Sequence, residues 1–438
     1  MKVVDQQVIR AQTFSFLSSP RHHDHIGDCY CYHEDGALVV DAYGRIKWHG
    51  AFIDLPAEYA YWRQLDLRPF LIMPGFIDAH VHYPQYRMMG APANDVLEWL
   101  NRYTFAEEMR FCDENIAKTA AEQFLQRLFD HGTTSALVFA ASQYIAAESL
   151  FAVAEAYQMA ILSSNILMDQ NAPDGLCVKA REGADDTIKL ISRWHQKNRS
   201  QIAITLRFAI TSSEAQLALS GDLLKDYPDC LFQTHLAESK AEIAMVKKLF
   251  PWSKDYCDVY DHFGLIGKQS IFAHGIHLSD REQALLSEKQ SALIHCPSSN
   301  NFLGSGLFNV DRWYQKPSVS VGLASDIAGG THYSMLVNMA EAYKVARLKN
   351  CAFDVWDGFY MATLGNAKIL KLEKEIGSLS VGKWADLVVL DLKATPVLAA
   401  RHCLSKNVED KLFALMMLGD DRAVRSTMIA GHWVKKHG

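Results

Sequence analysis

Short apolar segments alternate with amphipathic ones through most of the chain. Eight segments read as buried strands: 71–82, 133–139, 159–167, 202–208, 231–236, 270–275, 291–296 and 319–326. Amphipathic stretches typical of helices lie between most of them, at 114–130, 145–157, 184–197, 213–226, 239–249 and 279–288. Eight strands alternating with helices predict an α/β protein with a (β/α)8 TIM-like barrel, although pattern alone also allows a doubly wound sheet.

Both ends of the chain show a different pattern of apolar and polar residues. Residues 1 to 70 show short strands and turns, including two apolar runs around Asp41–Gly44 that predict a hairpin. A strand at 386–390 and two strands within 424–434 follow near the C-terminus. We therefore expect residues 1–70 and 377–438 to form one small β-sandwich domain, and residues 71–376 to form the catalytic barrel.

Composition narrows the class of protein. Charged residues make up 21% and apolar residues 49%, which indicates a globular chain, and the net charge of −6 argues against a nucleic-acid partner. No apolar run is long enough to span a bilayer, and Asp5 soon follows Met1-Lys2 instead of a signal segment. Nine cysteines show no disulfide framework. These features predict a cytoplasmic protein with no membrane partner.

Histidines and an aspartate recur at the ends of the predicted barrel strands. His80 and His82 are two residues apart on the first strand, so both imidazoles face the same side. His235, His274 and Asp326 end later strands. The carboxyl ends of barrel strands form one rim, so these groups should meet there. Imidazole nitrogens with one carboxylate suit zinc or ferrous iron, and the sequence predicts a metal site.

The same residues carry a resemblance to a known family. Pro74–His82, together with His235, His274 and Asp326, resembles the pattern of the amidohydrolase superfamily. Further segments narrow the resemblance to the guanine deaminases within it: His82–Gln85, Leu97–Phe105, Asp169–Pro173, Arg207–Ala209, Thr234–Glu238, Leu303–Asn309 and Leu418–Arg422. The resemblance covers nearly the whole chain and implies hydrolysis of guanine to xanthine and ammonia in purine catabolism or salvage. It also implies a homodimer.

The resemblance assigns roles at the centre of the site. It implies that one divalent metal per chain, zinc in the first place, is held by His80, His82, His235 and Asp326. Asp326 would also accept a proton from the attacking water, and Glu238 would carry protons between the water, the ring nitrogen and the departing ammonia. His274 would hold or polarise the water, or act as a longer ligand.

Further residues resemble those that bind the base. Gln85 offers both a donor and an acceptor, the guanidinium of Arg207 suits a carbonyl such as the 6-oxo group, and the ring of Phe208 covers a base's face. The substrate-binding set is completed by His82, His235, Glu238 and Asp326. Alternative roles are a loop brace for Gln85, pairing with a carboxylate for Arg207 and core packing for Phe208.

The chain departs from the family pattern near the expected pocket, at Gln170, Leu206 and Ile210. These positions concern loop shape and substrate preference more than the reaction. One alternative function is therefore the deamination or hydrolysis of another aminated heterocycle, such as a pterin or a triazine. The other is a catalytically silent scaffold protein, which a loss of ligands would mark.

Overall fold

A computed structural model describes residues 4–22, 25–316 and 318–436. Its strands are β1 (Gln7–Phe16), β2 (Tyr30–Val40), β3 (Ile46–Ala51), β4 (Arg63–Pro74), β5 (Phe76–His82), β6 (Thr133–Phe139), β7 (Ala160–Ser164), β8 (Ile166–Leu167), β9 (Ser200–Leu206), β10 (Leu231–Leu236), β11 (Ser270–His274), β12 (Ala292–His295), β13 (Ser320–Leu323), β14 (Leu387–Leu390), β15 (Val424–Ile429) and β16 (His432–Lys435).

The α-helices connect and cover these strands. They are α1 (Val96–Trp99), α2 (Phe105–Glu108), α3 (Glu114–Asp130), α4 (Tyr144–Tyr157), α5 (Ala180–Trp194), α6 (Glu214–Asp226), α7 (Lys240–Leu249), α8 (Tyr256–His262), α9 (Asp280–Glu288), α10 (Pro297–Phe302), α11 (Asp311–Tyr314), α12 (Met335–Leu348), α13 (Val355–Tyr360), α14 (Asn366–Ile369), α15 (Pro396–His402) and α16 (Val408–Leu418). No helix among the described residues combines the length and hydropathy needed to cross a membrane.

The predicted barrel is confirmed. Strands β5, β6, β7 and β9 to β13 form a run of parallel neighbours, and β8 pairs with β9. The backbone joins the two ends of this run, because Asp326 N donates to His80 O at 3.0 Å and His82 N donates to Ile327 O at 2.9 Å. These bonds bring the segment after the last strand against the first strand, which a doubly wound open sheet does not do.

Both chain ends build one mixed sheet beside the barrel, in the order β16-β15-β14-β4-β1-β2-β3. The predicted hairpin is β2 and β3, and the predicted turn near the C-terminus joins β15 to β16. The prediction of one small β domain formed from both ends is confirmed, but among the described residues its strands form one seven-stranded mixed sheet rather than the two packed sheets of a sandwich. The domain boundaries at residues 70 and 376 stay a prediction.

The predicted strand 71–82 is in fact two strands. The first, β4, belongs to the mixed sheet, and β5 begins the barrel. Gly75 lies between them, where a Cβ atom would fall 2.2 Å from the side chain of Thr134. The apolar run does not show this break, because both strands are buried and the break leaves hydrophobicity unchanged.

Capped helix starts hold the loops that follow two of the barrel strands in place. Ser239 caps α7 and forms a capping box with Glu242, and Ser279 does the same with Glu282 at α9. The cap at Ser239 immediately follows Glu238, so the helix start determines where that carboxylate lies. Apolar side chains such as Ile77, Leu137 and Ile294 fill the barrel interior below this rim.

Candidate active site

The predicted metal ligands come together at the carboxyl end of the barrel. His80 and His82 lie on β5 and His235 on β10, while Asp326 follows β13. The Nε2 atom of His82 lies 3.3 Å from Nε2 of His80 and 3.2 Å from Nε2 of His235. Oδ1 of Asp326 lies 3.3 Å from Nε2 of His80 and 3.5 Å from Nε2 of His82.

These separations match the edges of a coordination tetrahedron. Zinc–nitrogen and zinc–oxygen bonds of about 2.0–2.1 Å place tetrahedral ligand atoms about 3.3–3.4 Å apart. Burial lowers the pKa of His80, and it lowers those of His82 and His235 well below the ordinary value. The imidazoles are therefore neutral, as metal ligands must be. The donor set fits one divalent cation.

Hydrogen bonds fix the orientation of the ligands. Nδ1 of His235 donates to the backbone oxygen of Arg207 at 2.6 Å, so its lone pair is on Nε2 and points to the other imidazoles. Asp326 lies three residues beyond the end of β13 rather than on the strand, with φ of 51°. This left-handed conformation is strained for a residue with a side chain. It is held by the bond from Asp326 N to His80 O described above.

Glu238 and His274 form the second part of the site. Oε1 of Glu238 accepts a hydrogen bond from Ser305 Oγ at 2.8 Å, and Oε2 lies 3.6 Å from His274 Nε2. His274 Nε2 is 3.7 Å from Oδ2 of Asp326, while its Nδ1 lies 2.8 Å from Oδ1 of Asn300. His274 Nε2 thus lies near two carboxylates without a hydrogen bond to either, and ligand atoms of His274, His80, Cys296 and Asp326 lie within 4.8 Å of one another.

Burial sets the proton affinities of these groups. It raises the pKa of Glu238, because a carboxylate loses hydration in the closed site. Burial acts to lower the pKa of His274, but the nearby carboxylates of Glu238 and Asp326 outweigh it and the pKa is raised. A carboxyl group with raised pKa beside an imidazole with raised pKa is suited to moving protons near neutral pH.

A partly enclosed pocket opens beside these groups. Every predicted site residue lines it except His80, which lies deeper. Its further walls come from Val96, Trp99, Leu100, Leu303 and Gly329. Trp99, Leu100 and Leu303 belong to segments that carry the family resemblance, which assigns them no role. The predicted base-binding residues therefore face the same space as the predicted acid–base groups.

Gln85, Arg207 and Phe208 are all buried. Arg207 combines both of the roles considered for it. Its Nη1 lies 2.7 Å from Oε2 of Glu108, and its side chain also lines the pocket. Gln85 donates to the same carboxylate at 2.9 Å. Phe208 packs in the core and faces the pocket, with its ring centroid 6.4 Å from that of His235.

Glu108 is the polar residue that sequence reasoning missed. It sits in the run Glu107–Arg110, which looks like a charged surface, just after the segment Leu97–Phe105 that carries the family resemblance. The sequence feature that could have pointed to it is the family resemblance of the neighbouring segment, but that resemblance assigns no role to this carboxylate.

Gln170, one of the departures from the family pattern, contacts the backbone after β9. Its Nε2 donates to the backbone oxygens of Ile210 and Ser212 at 3.3 and 3.0 Å.

The chain is similar to known proteins over nearly its whole length. Residues 71–434 match the model of the amidohydrolase family. The chain is 41% identical over 436 residues to the guanine deaminase of Escherichia coli K12, covering 98% of each chain. It superimposes on the guanine deaminase of Bradyrhizobium japonicum with a TM-score of 0.96 at 32% identity, covering 99% of this chain and 100% of that one.

A third relative is the guanine deaminase of C. acetobutylicum, solved with guanine bound in its active site. The TM-score is 0.88 at 28% identity, and the match covers 98% of this chain and 100% of that one. Matches of this extent show that the chain belongs to the amidohydrolase family, in the group of the guanine deaminases.

Proposed function

We propose that this protein is a guanine deaminase, which hydrolyses guanine to xanthine and ammonia. The observation that carries the proposal is the meeting of two residue sets at one pocket. Three members of the metal-ligand set, His82, His235 and Asp326, line it together with Gln85, Arg207 and Phe208. The fourth, His80, lies 3.3 Å from both His82 Nε2 and Asp326 Oδ1. Relatives named guanine deaminase, one of them solved with guanine in its active site, support the same substrate.

We infer that His80, His82, His235 and Asp326 hold one divalent cation per chain. Zinc and ferrous iron both suit this mixture of nitrogen and oxygen donors. When bound, such a cation supplies a Lewis acid that makes water acidic near neutral pH. The neutral state of the three imidazoles, which burial favours, supports this role.

The protein's own groups then move the protons. Asp326 accepts a proton from the attacking water, and His274 orients that water through its unpartnered Nε2. Glu238 takes one proton of the attacking water at Oε2 and gives it to the ring nitrogen, while Ser305 holds Oε1 in place. The second water proton, accepted by Asp326, passes through Glu238 to the departing amine, so both protons of the water end in the products. The raised pKa of Glu238 supports the transfer, because a carboxyl group that is readily protonated can give the proton back.

Arg207 and Gln85 select the base. The guanidinium of Arg207 donates to the 6-oxo group of guanine, and the Gln85 amide pairs with a neighbouring edge that has both a donor and an acceptor. The ring of Phe208 packs on the face of the base. Adenine presents an amine at position 6, so a donor would face a donor there. Such a mismatch leaves buried groups unpaired.

An ammonia-release panel tests the proposal. Purified protein is assayed with guanine, adenine, a pterin and an aminated triazine, and guanine is expected to have the highest kcat/KM. A site built to hydrogen-bond a substrate group rejects an analogue without it by about 10⁴-fold. A kcat/KM for adenine or the triazine equal to that for guanine would contradict the assignment. A kcat/KM for the pterin above that for guanine would favour the alternative function, which is the deamination of another aminated heterocycle.

We also propose a reducing, cytoplasmic setting and a homodimer. The setting is supported by the nine cysteines, all of which are free thiols. The homodimer rests on the family resemblance alone, and light scattering of the purified protein measures it.

A further inference from the structure

Glu108 is a buried carboxylate behind the wall of the pocket. It ends the short helix α2, and its side chain is 0% exposed. Both of its oxygens accept from Nη1 of Arg207, at 2.9 and 2.7 Å, and Oε1 also accepts from Nε2 of Gln85 at 2.9 Å. One carboxylate thus joins the residue after β9 to the loop after β5.

The pairing with Glu108 leaves Nη2 and Nε of Arg207 available to donate to a ligand. Glu108 takes only Nη1, and in the described parts of the chain no protein group accepts from Nη2 or Nε. The guanidinium is planar, so fixing one nitrogen from behind fixes the direction of the others. A buried ion pair of this kind is rigid, because separating it would leave two charges unpaired away from water.

Glu108 also determines which way the amide of Gln85 faces. Nε2 donates to Glu108, and Oε1 accepts from Ala328 N at 3.3 Å. A flipped amide would bring its oxygen against the carboxylate and its NH₂ against a backbone N–H. In the observed orientation, one N–H and one lone pair of the amide remain for the base.

We propose that Glu108 is a positioning residue that sets base specificity by holding the donors of Arg207 and Gln85 toward the 6-oxo edge of the purine. This inference rests on the proposed function, since it assumes that guanine is the substrate. Glu108 itself does not line the pocket and is not one of the proposed metal ligands. Its effect should therefore depend on whether the substrate carries a 6-oxo group.

The test compares guanine with 2-aminopurine, which has the same amine but no 6-oxo group. Glu108→Gln is expected to lower kcat/KM for guanine about 10- to 100-fold, the range for one hydrogen bond to a charged group. The change should be mainly in KM, because the contact exists before and during the reaction. For 2-aminopurine the change should be much smaller, so the guanine to 2-aminopurine ratio falls about tenfold or more.

Glu107→Gln is the matched control. Glu107 is the neighbouring residue on α2, but it is half-buried and pairs with Arg110 at the surface. This variant should keep the wild-type ratio. If Glu108→Gln lowers kcat/KM equally for both substrates, Glu108 serves stability only and the inference is overturned. If wild-type protein releases no ammonia from guanine, the proposed function itself fails, and the inference with it.

A second variant keeps the test decisive if Glu108→Gln does not fold. Glu108→Asp retains the negative charge of the buried pair, but its side chain is one methylene shorter and cannot keep both the 2.7 Å contact to Arg207 and the 2.9 Å contact to Gln85. Its guanine to 2-aminopurine ratio should also fall below that of wild type. A wild-type ratio in Glu108→Asp would overturn the inference.

Discussion

Replacing Glu238 by glutamine tests the proton-transfer role most directly. The amide keeps the size of the side chain and keeps an oxygen to accept the 2.8 Å bond from Ser305 Oγ. It removes the carboxyl proton from the atom 3.6 Å from His274 Nε2. Loss of a general acid–base group lowers kcat by about 10²–10⁴-fold, which equals about 2.7–5.5 kcal/mol of barrier.

The variant should bind metal and fold as well as wild type. Glu238 is not one of the four groups at tetrahedral separations, so elemental analysis should give unchanged metal content. Burial raises the pKa of Glu238, which means that the fold disfavours the carboxylate. A neutral amide therefore introduces no new buried charge. Thermal unfolding and ammonia release are measured on the same preparation.

Glu282→Gln is a matched control, because Glu282 is also buried and also accepts a hydrogen bond from a serine hydroxyl, but does not line the pocket. It should retain nearly wild-type kcat. If Glu238→Gln loses its metal, the carboxylate is a ligand or a structural brace. If it keeps more than about a tenth of wild-type kcat, the proton transfer belongs to another group.

Three further predictions concern the metal, the base and pH. Elemental analysis should give one divalent metal per chain, and none in His235→Ala; two metals in wild type would contradict the ligand assignment. Arg207→Met should keep its metal and lose most guanine turnover, but it leaves Glu108 unpaired, so urea denaturation should show a loss of about 3–5 kcal/mol; unchanged stability would contradict a buried ion pair. Burial raises the pKa of Glu242 from 4.5 to about 7, so its contribution to stability is present below about pH 4.5 and is lost as pH rises through about 7. Relative to wild type, Glu242→Gln should therefore gain up to about 3 kcal/mol in free energy of unfolding between about pH 5 and pH 8, and a difference that does not vary with pH would refute this.

The barrel and its ligands were predictable because they follow local patterns. Alternating buried and amphipathic segments identify strands and helices, and a His-x-His pair on a strand needs no other part of the chain to indicate a shared face. The break at Gly75 was not predictable in this way. Only a glycine fits at this position, because a Cβ atom there would clash with Thr134 on the neighbouring strand, and a local pattern does not show that contact.

Glu108 shows the second limit of the sequence. Acidic residues in a charged run are usually solvated, and Glu107 beside it does form a surface pair. Its burial arises only when α2 packs between the loop after β5 and the end of β9. A carboxylate whose partner lies far along the chain gives no local pattern, so only the fold reveals that it serves the pocket.

The closing of the barrel explains how the proposed metal ligands, which come from opposite ends of the catalytic region, meet at one place. Asp78 is fully buried on β5 and accepts hydrogen bonds from the backbone N–H of Ser325 at 3.1 Å and from its hydroxyl. It also accepts from His80 N at 3.3 Å. The same carboxylate therefore holds the backbone of one ligand and the residue before Asp326. A tetrahedral site tolerates only small changes in ligand separation. The geometry of the proposed metal site therefore depends on the contacts of Asp78 with His80 and Ser325 as much as on the ligands themselves.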